Sequence, residues 1–172
     1  MNYNSIVKLI NNEDSFEFQN QKVFFHFFYK YLFSKLDVNK INNRSSYINN
    51  GKSIILNIIH VSSQLEIEIK VDKYEIYVLI DGLGYSMFQI SKQKEYSDSF
   101  YLEVIDFLHE SFKGNFYKHF FCDGNREVKV KLSWKDSTYP EAVYISIKDL
   151  FLEKLKIKKY LLMKKTEYPS FF

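Results

Sequence analysis

The stretch from Gln64 to Ile90 constrains the fold most, because apolar and polar residues alternate along two consecutive segments of it. Alternation with a period of two places successive side chains on opposite faces of a β-strand. The two segments are separated by Val71-Asp72-Lys73-Tyr74 and followed by Asp81-Gly82-Leu83-Gly84, and both separators contain turn-forming residues. The stretch therefore predicts three antiparallel strands joined as a meander.

A turn at Asp72-Lys73 predicts a register for the first two strands. The register pairs apolar residues with one another: Val71 with Tyr74, Ile69 with Ile76, Ile67 with Val78, and Leu65 with Ile80. Directly opposite residues share a face, so the apolar side chains all lie on one side of the sheet. The other side carries Glu66, Glu68 and Lys70 opposite Leu79, Tyr77 and Glu75. We expect the first face to pack on a core and the second to meet water or a partner.

Two segments have the spacing of helices that are apolar along one side. The first follows Asp14-Ser15-Phe16-Glu17, where Asp14 is placed to cap a helix and Glu17 to reach back to the cap. Its apolar positions recur at helical spacing: Val23, Phe24, Phe27, Phe28, Tyr31 and Leu32. The second starts at Ser97 or Asp98, stops at Gly114, and carries a similar stripe: Tyr101, Val104, Ile105, Leu108 and Phe112.

The C-terminal part predicts a further strand over 142–147 and then a helix from Lys148 onward. Phe151, Leu155 and Leu162 fall on one stripe of this helix, and Lys156 marks a point where it can break. Between the first helix and the meander, residues 36–52 are polar and predict a loop, whereas residues 53–60 predict a buried strand.

Residues 115–134 predict a second hairpin around Asp123-Gly124-Asn125. A two-residue loop pairs Tyr117, His119 and Phe121 with Val128, Val130 and Leu132. A three-residue loop instead pairs Phe116, Lys118 and Phe120 with the same three residues. We favour the two-residue loop, because the alternative would bury Lys118.

The chain has 172 residues and no Ser/Gly/Pro-rich linker, so we expect one domain over residues 1–172. The predicted fold class is α+β, in which a mainly antiparallel sheet, made of the meander and the hairpin, packs against an N-terminal, a central and a C-terminal helix. No signal peptide and no run of about 20 apolar residues is seen in the sequence. With Cys122 as the single cysteine, we expect a cytoplasmic protein that does not enter a membrane.

The sequence contains no recognisable catalytic or metal-ligating pattern. Cys122 and the four histidines fall into none of the usual ligand spacings, so we expect no metal, no cofactor and no catalysis. The Asp81-Gly82-Leu83-Gly84 segment precedes a strand-like segment and not a helix, so a hairpin turn is favoured there over a phosphate-binding loop. A hydrolase would need His60 or His119 beside an acid that is remote in sequence.

The positive charge is concentrated at the C-terminal end. From Lys148 onward lysines outnumber carboxylates, whereas the rest of the chain is close to neutral. One interpretation is a small-ligand or nucleic-acid binding module that uses a lysine-rich C-terminal helix. The near absence of arginine disfavours nucleic acid as the partner.

The segments VDKYEIYVLIDGLGYSMFQI and SFYLEVIDFLHESFKGNFYKHFFCDGNREVKVKL resemble small bacterial immunity proteins of polymorphic or contact-dependent toxin systems. The resemblance covers roughly residues 64–134. In that group a strand pair ending in an acidic residue and a short aromatic or histidine-bearing strand precede a helix and a hairpin with a central glycine. Here Gly84, Tyr85 and Ser86 stand where the group often has histidines.

The resemblance implies a stoichiometric inhibitor that neutralises its toxin by occluding it. We expect the toxin to bind the sheet face of the meander and nearby positions, and the candidate residues are Glu66, Glu68, Tyr77, Asp81, Tyr85, Phe88 and His109. Tyrosine suits such a role because it supplies a large contact area at low entropic cost. An exposed strand edge could also support a homodimer.

Overall fold

A computed structural model describes residues 3–12, 15–89, 98–136, 139–157 and 159–172, with the backbone alone described at 3–5, 11 and 84–89. The fold is α+β, as predicted, and its strands form two antiparallel sheets. The chain divides into two compact units: the first is Met1–Lys113 with Ser170–Phe172, and the second is Gly114–Pro169. A single domain over residues 1–172 stays a prediction.

Among its described residues, the first unit has three α-helices and one sheet, besides two short 3-10 helices at Phe33–Lys35 and Val38–Lys40. The helices are α1 (Tyr3–Asn11), α2 (Gln19–Tyr31) and α3 (Asp98–Phe112), and the strands are β1 (Ser46–Asn49), β2 (Ser53–Ile59), β3 (Glu66–Asp72), β4 (Glu75–Ile80) and β5 (Leu83–Gln89). The strands lie in sequence order, so β3 is central and β1 and β5 are the edges. The predicted three-strand meander is present as β3, β4 and β5. The predicted loop over residues 36–52 is wrong in part, because it contains β1.

One face of this sheet forms the core of the first unit. Its inward side chains are buried in three rows: Ile54, Leu56 and Ile58; Ile67, Ile69 and Val71; Ile76, Val78 and Ile80. Helix α2 is fixed to the end of β3 by its amides, since Gln21 donates to the Val71 carbonyl and Asn20 to the Asp72 carbonyl. Tyr101 of α3 in turn donates to Asn20 Oδ1 at 2.9 Å. These bonds attach α2 to the sheet of the first unit and α3 to α2.

The β3–β4 register differs from the predicted one by two residues. Val71 pairs with Ile76 and not with Tyr74, and Ile69 pairs with Val78. The reason is the Asp72 side chain, whose Oδ1 accepts from the backbone N–H of Tyr74 and of Glu75, both at 2.8 Å, and widens the turn. A shift of two residues preserves the faces, so the predicted separation of apolar and polar sides is correct.

The β4–β5 connection is the predicted turn. Asp81 and Gly82 are its two central residues and both have positive φ, 50° and 77°. Two positive φ angles define the type I′ turn that matches the twist of a hairpin. Asp81 therefore has a structural role, because its left-handed backbone conformation is part of the turn.

The two predicted helices of the first unit form with different boundaries. The proposed Asp14 cap lies outside the described residues, and α2 begins only at Gln19, so Glu17 precedes the helix. Gln21 Oε1 accepts from the N–H groups of Glu17 and Phe18 in place of the predicted Glu17 contact. The α3 stripe is correct, because all five predicted residues are buried. Gly114, with φ +69°, follows the helix end as expected.

The last residues of the chain complete the core of the first unit. Phe171 is fully buried, its N–H donates to the Phe112 carbonyl at 2.8 Å, and its carbonyl accepts from the Asp37 N–H at 2.9 Å. Its ring meets those of Phe112 and His60 edge-on, with centroids 5.0 and 4.8 Å away. Edge-to-face pairs at this separation stabilise a core beyond their buried area.

Within residues 114–136, 139–157 and 159–169, the second unit has a four-stranded sheet and one helix. Its elements are β6 (Phe116–Asp123), β7 (Arg126–Trp134), β8 (Ala142–Ile145), α4 (Ile147–Lys154) and β9 (Leu161–Glu167), and the sheet order is β8-β7-β6-β9. The C-terminal helix is thus shorter than predicted, and its extension to Leu162 is wrong. Lys156 has φ +57°, a left-handed conformation that ends the helix near the predicted point.

The favoured register of the β6–β7 hairpin is wrong. Phe116, Lys118 and Phe120 share the face of Val130 and Leu132, as in the rejected alternative, but their partners are Trp134, Leu132 and Val130. The turn still has two residues, because Asp123 pairs with Arg126, and a bulge between Phe121 and Cys122 shifts the register by one. Lys118 avoids the cost of burial: its ammonium lies 5.1 Å from the Phe120 ring centroid and its side chain is half-buried.

Candidate partner-binding surfaces

Three of the predicted partner-binding residues share one sheet face in the first unit. Glu66 and Glu68 on β3 and Tyr77 on β4 alternate with buried residues and are half-buried themselves. The register places Tyr77 opposite Lys70, whose ammonium lies 6.0 Å from the Tyr77 ring centroid. Asn57 on β2 donates to a Glu66 carboxylate oxygen. This outer face therefore has negatively charged glutamates and a positively charged lysine around the Tyr77 ring.

The charges beside Tyr77 also affect its hydroxyl. The nearby Glu75 carboxylate, followed by partial burial, raises the pKa of Tyr77 above its ordinary value. An anionic phenolate beside a carboxylate is disfavoured. At neutral pH the Tyr77 hydroxyl is thus a neutral group, and it donates its hydrogen bond to the Glu75 carboxylate.

The other four predicted residues lie in different settings. Asp81 is in the type I′ turn, where its N–H donates to the Glu66 carbonyl at 2.7 Å. Tyr85 and Phe88 belong to β5 by their backbone, and their side chains lie outside the described residues. His109 is on α3, where its ring meets the Phe172 ring at 4.9 Å and its Nδ1 lies 3.5 Å from Glu110. The structure brings Glu66, Glu68 and Tyr77 together on one face, with Asp81 in the turn that follows β4.

The second unit contains an exposed feature that the sequence analysis missed. Among the described residues, ten of the fifteen large exposed apolar side chains fall between Val143 and Met163. We call these ten the apolar segment: Val143, Tyr144, Ile147, Leu150, Phe151, Leu155, Ile157, Leu161, Leu162 and Met163. Monomeric proteins expose single apolar residues routinely, but here they are concentrated in one stretch of the sequence that includes α4 and both edge strands of the sheet, which favours contact with a partner. Helical spacing had suggested that Phe151 and Leu155 face a core, whereas they are 61% and 53% exposed.

A buried carboxylate fixes α4 within the second unit. Ser146 caps the helix by accepting from the Asp149 N–H at 3.1 Å, and its hydroxyl donates back to Asp149 Oδ2 at 2.6 Å. Asp149 Oδ1 accepts from Arg126 on β7 at 2.9 Å and from the Tyr160 hydroxyl at 3.0 Å. These contacts orient α4 and leave Phe151 exposed on a constrained element. A preorganised exposed aromatic residue is a suitable binding anchor.

The same network shifts two ionisation equilibria. Hydrogen bonds from Ser146, Tyr160 and Arg126 lower the pKa of Asp149, with the Ser146 bond contributing most and burial opposing it. Burial and then the Asp149 hydrogen bond raise the pKa of Tyr160. Both directions favour an ionised Asp149 that accepts and a neutral Tyr160 that donates.

Strand β9 carries lysines that lie over aromatic rings of β6. Lys165 Nζ is 3.4 Å from the Tyr117 ring centroid on one face, and Lys164 Nζ is 5.9 Å from the Phe120 centroid on the other. Lys129 Nζ lies 5.3 Å from the Phe121 centroid and 2.8 Å from Glu153 of α4. The sheet thus presents aromatic rings with ammonium groups above them.

A serine and a histidine meet on the second sheet. His119 Nε2 lies 2.8 Å from Ser133 Oγ, and burial together with Lys131 and Lys165 lowers the pKa of His119. Such a neutral imidazole can accept a hydroxyl proton. Ser133, however, lies inside β7 and pairs with Tyr117. The backbone N–H groups around it donate to neighbouring strands, so they are not available to stabilise an oxyanion. We interpret the pair as a cross-strand contact.

Neither a metal-ligand cluster nor a membrane-spanning helix is found in the described part of the chain. Among the described residues, no group of three or more His, Cys, Asp or Glu side chains is placed to hold a metal ion. In those ranges no helix has the length and apolar character needed to cross a bilayer.

Comparisons with known proteins give no relative: no family model, no curated protein and no solved structure matches the chain.

Proposed function

We propose that the protein binds a second protein and neutralises it by covering its surface, as an immunity protein does with a bacterial toxin. The observation that carries this proposal is the apolar segment, because exposed apolar side chains concentrated on constrained elements are typical of protein-binding surfaces. The sequence resemblance to immunity proteins supplies the class of partner.

We take Phe151 and Ile157 as two anchors within the apolar segment. They are 61% and 63% exposed, and Phe151 projects from a helix that the Asp149 network holds in place. Burying two such side chains against a partner removes a large apolar area from water. Each is expected to contribute at least about 1 kcal/mol to binding, which is roughly fivefold in Kd.

The outer face of the first sheet is the second surface that a partner can use. Glu66, Glu68 and Tyr77 combine two carboxylates with a half-buried aromatic ring. Such a face suits a basic partner surface, because opposite potentials speed association and fix orientation.

Co-expression with the product of the adjacent upstream gene tests the function. Protection from toxicity and a stable complex in a pull-down are the expected results, and a toxic product without protection or complex would refute the proposal. The variant Phe151→Ser with Ile157→Ser should weaken the complex at least tenfold. Leu102→Ser, at a 40% exposed site on α3, is the matched control and should leave it intact.

Nucleic-acid binding is a second candidate, favoured by the lysines over Tyr117 and Phe120. Single-stranded nucleic acid binds where bases stack on aromatic rings and phosphates meet cations. Salt-sensitive retention of labelled single-stranded RNA, lost in Tyr117→Ser, would support this function. Elution of the protein from heparin at low salt together with no RNA shift would dismiss it.

A further inference from the structure

Among the strands that the structure describes, β9 lies at an edge of the second sheet. It has seven residues and pairs with β6 on one side only, at the end of the sheet order. Six of the seven residues are exposed. The backbone N–H and C=O groups on the outer side of such a strand form a template for another strand.

The side chains of this edge divide into an apolar and a cationic half. Leu161, Leu162 and Met163 are 64%, 51% and 64% exposed, and Lys164 and Lys165 follow directly. The register places Lys165 on the sheet face of His119 and Lys164 on that of Phe120, so β9 contributes one ammonium group to each face. Neither lysine forms an ion pair with a carboxylate of the described residues.

The two lysines disfavour one register of pairing with a second copy, the one that brings Lys164 of both chains together. An antiparallel pair centred on Lys164 would oppose Lys164 to itself and Met163 to Lys165. Like charges directly opposite each other destabilise a pair of strands, and lysine on an edge is a common device against self-association. A strand with carboxylates at the same positions would instead neutralise both lysines.

We propose that the partner adds an antiparallel strand along β9, with two consecutive acidic residues opposite Lys164 and Lys165 and apolar residues opposite Leu161, Leu162 and Met163. Consecutive residues of a strand point to opposite faces, so two adjacent carboxylates reach one lysine on each face. This inference rests on the proposed function and names the recognition chemistry of its partner. The other edge of this sheet, β8, has four residues and no lysine, and is the weaker template.

Two synthetic peptides test the proposal directly. The first has the core Lys-Thr-Glu-Glu-Val-Val-Val, written from its amino end to oppose Glu167 through Leu161, and the second has lysines in place of the two glutamates. We expect the acidic peptide to bind at least tenfold more tightly in fluorescence anisotropy, and its binding to weaken with added salt. Equal binding, or no binding of the acidic peptide, would overturn the proposal.

A charge swap is the matched control. In the double variant Lys164→Glu with Lys165→Glu, the preference should reverse, because the same backbone ladder now meets the opposite charges. Hydrogen exchange should show slower exchange of the β9 amides with the favoured peptide. A preference that does not reverse would rule out pairing in this register. Binding of the protein to phosphatidylserine vesicles that the swap abolishes, without peptide binding, would assign the edge to a lipid surface instead.

The peptide result and the co-expression result separate the two proposals. If the peptide preference reverses with the charge swap but the protein gives no protection from the toxin, strand addition is retained and the neutralising function is refuted. Protection that survives the charge swap would retain the function and refute strand addition at β9.

Discussion

Arg126 Nη2 donates to Asp149 Oδ1 at 2.9 Å, joining an exposed arginine on β7 to an aspartate of α4 that is 2% exposed. Buried carboxylates are tolerated when hydrogen bonds satisfy them. Ser146 and Tyr160 supply the remaining bonds, so one carboxylate links β7, α4 and the approach to β9. The exposed position of the apolar segment depends on this link.

We expect Asp149→Asn to lower Tm at pH 7 and to alter its pH dependence. The folded pKa of Asp149 is lowered from its ordinary 3.8, so the carboxylate stabilises the fold above that pH and its contribution is lost as pH falls through the folded value. The Tm difference between wild type and variant should therefore shrink below pH 3.8. Asp106→Asn, at an exposed position of α3, is the control and should change stability by about 0.5 kcal/mol or less. A constant difference at all pH values would contradict this assignment.

Phe171→Ala should destabilise the protein by about 3–5 kcal/mol, because the ring is fully buried and its removal leaves a cavity between Phe112 and His60. Phe151→Ala removes the same group from a 61% exposed site and should change stability by about 0.5 kcal/mol or less. Urea unfolding of both variants measures the contrast. Similar losses for the two would mean that Phe151 is not exposed in solution.

Gly114→Ala and Gly124→Ala separate a backbone effect from a steric clash. Both glycines have positive φ, +69° and +60°, which costs an alanine about 1 kcal/mol. At Gly124 the added methyl group has no atom within 4 Å. At Gly114 it would clash with the backbone carbonyl oxygen of Tyr168. We expect a markedly larger loss of unfolding free energy at Gly114. Equal losses would indicate that the 168–169 backbone moves away without cost.

Stability should fall as pH is lowered from 6.5, because burial, aided by the Lys40 charge, lowers the pKa of His60 despite the opposing Ser170 backbone contact. A histidine with a lowered folded pKa stabilises the fold above its unfolded pKa, and this is lost as pH falls through the folded value. His60→Gln should flatten the stability profile in this window. The pKa of His119 is also lowered, so the remaining slope should disappear when His119→Gln is added. An unchanged slope in the double variant would assign it to other groups.

The predicted parts of the fold are those set by short-range periodicity. The alternation from Leu65 to Ile80 fixed which side chains are buried, and the stripe of α3 fixed its core face. The alternation of apolar and polar residues does not determine the register of a hairpin. In one hairpin the register is set by the Asp72 side chain in the turn, and in the other by a bulge beside Cys122.

Elements that form through contacts with residues distant in sequence were not predicted. Leu161 and Leu162 fit a helical stripe, but they lie in a strand because β6 pairs with them, and long-range pairing overrides local propensity. The apolar segment escaped for a related reason: an apolar stripe on a helix predicts a buried face, and only packing shows that α4 leaves Phe151 and Leu155 uncovered.

The burial of Phe171 in the first unit has a consequence for biosynthesis. A ribosome makes residues 114–169 before it makes Phe171, so the aromatic cluster around Phe112 and His60 stays incomplete until the second unit has been synthesised. Contacts between residues far apart in sequence form late and at a high entropic cost. A nascent chain stalled anywhere in the second unit therefore exposes an unfilled aromatic site, and quality-control proteases should clear it faster than the finished protein.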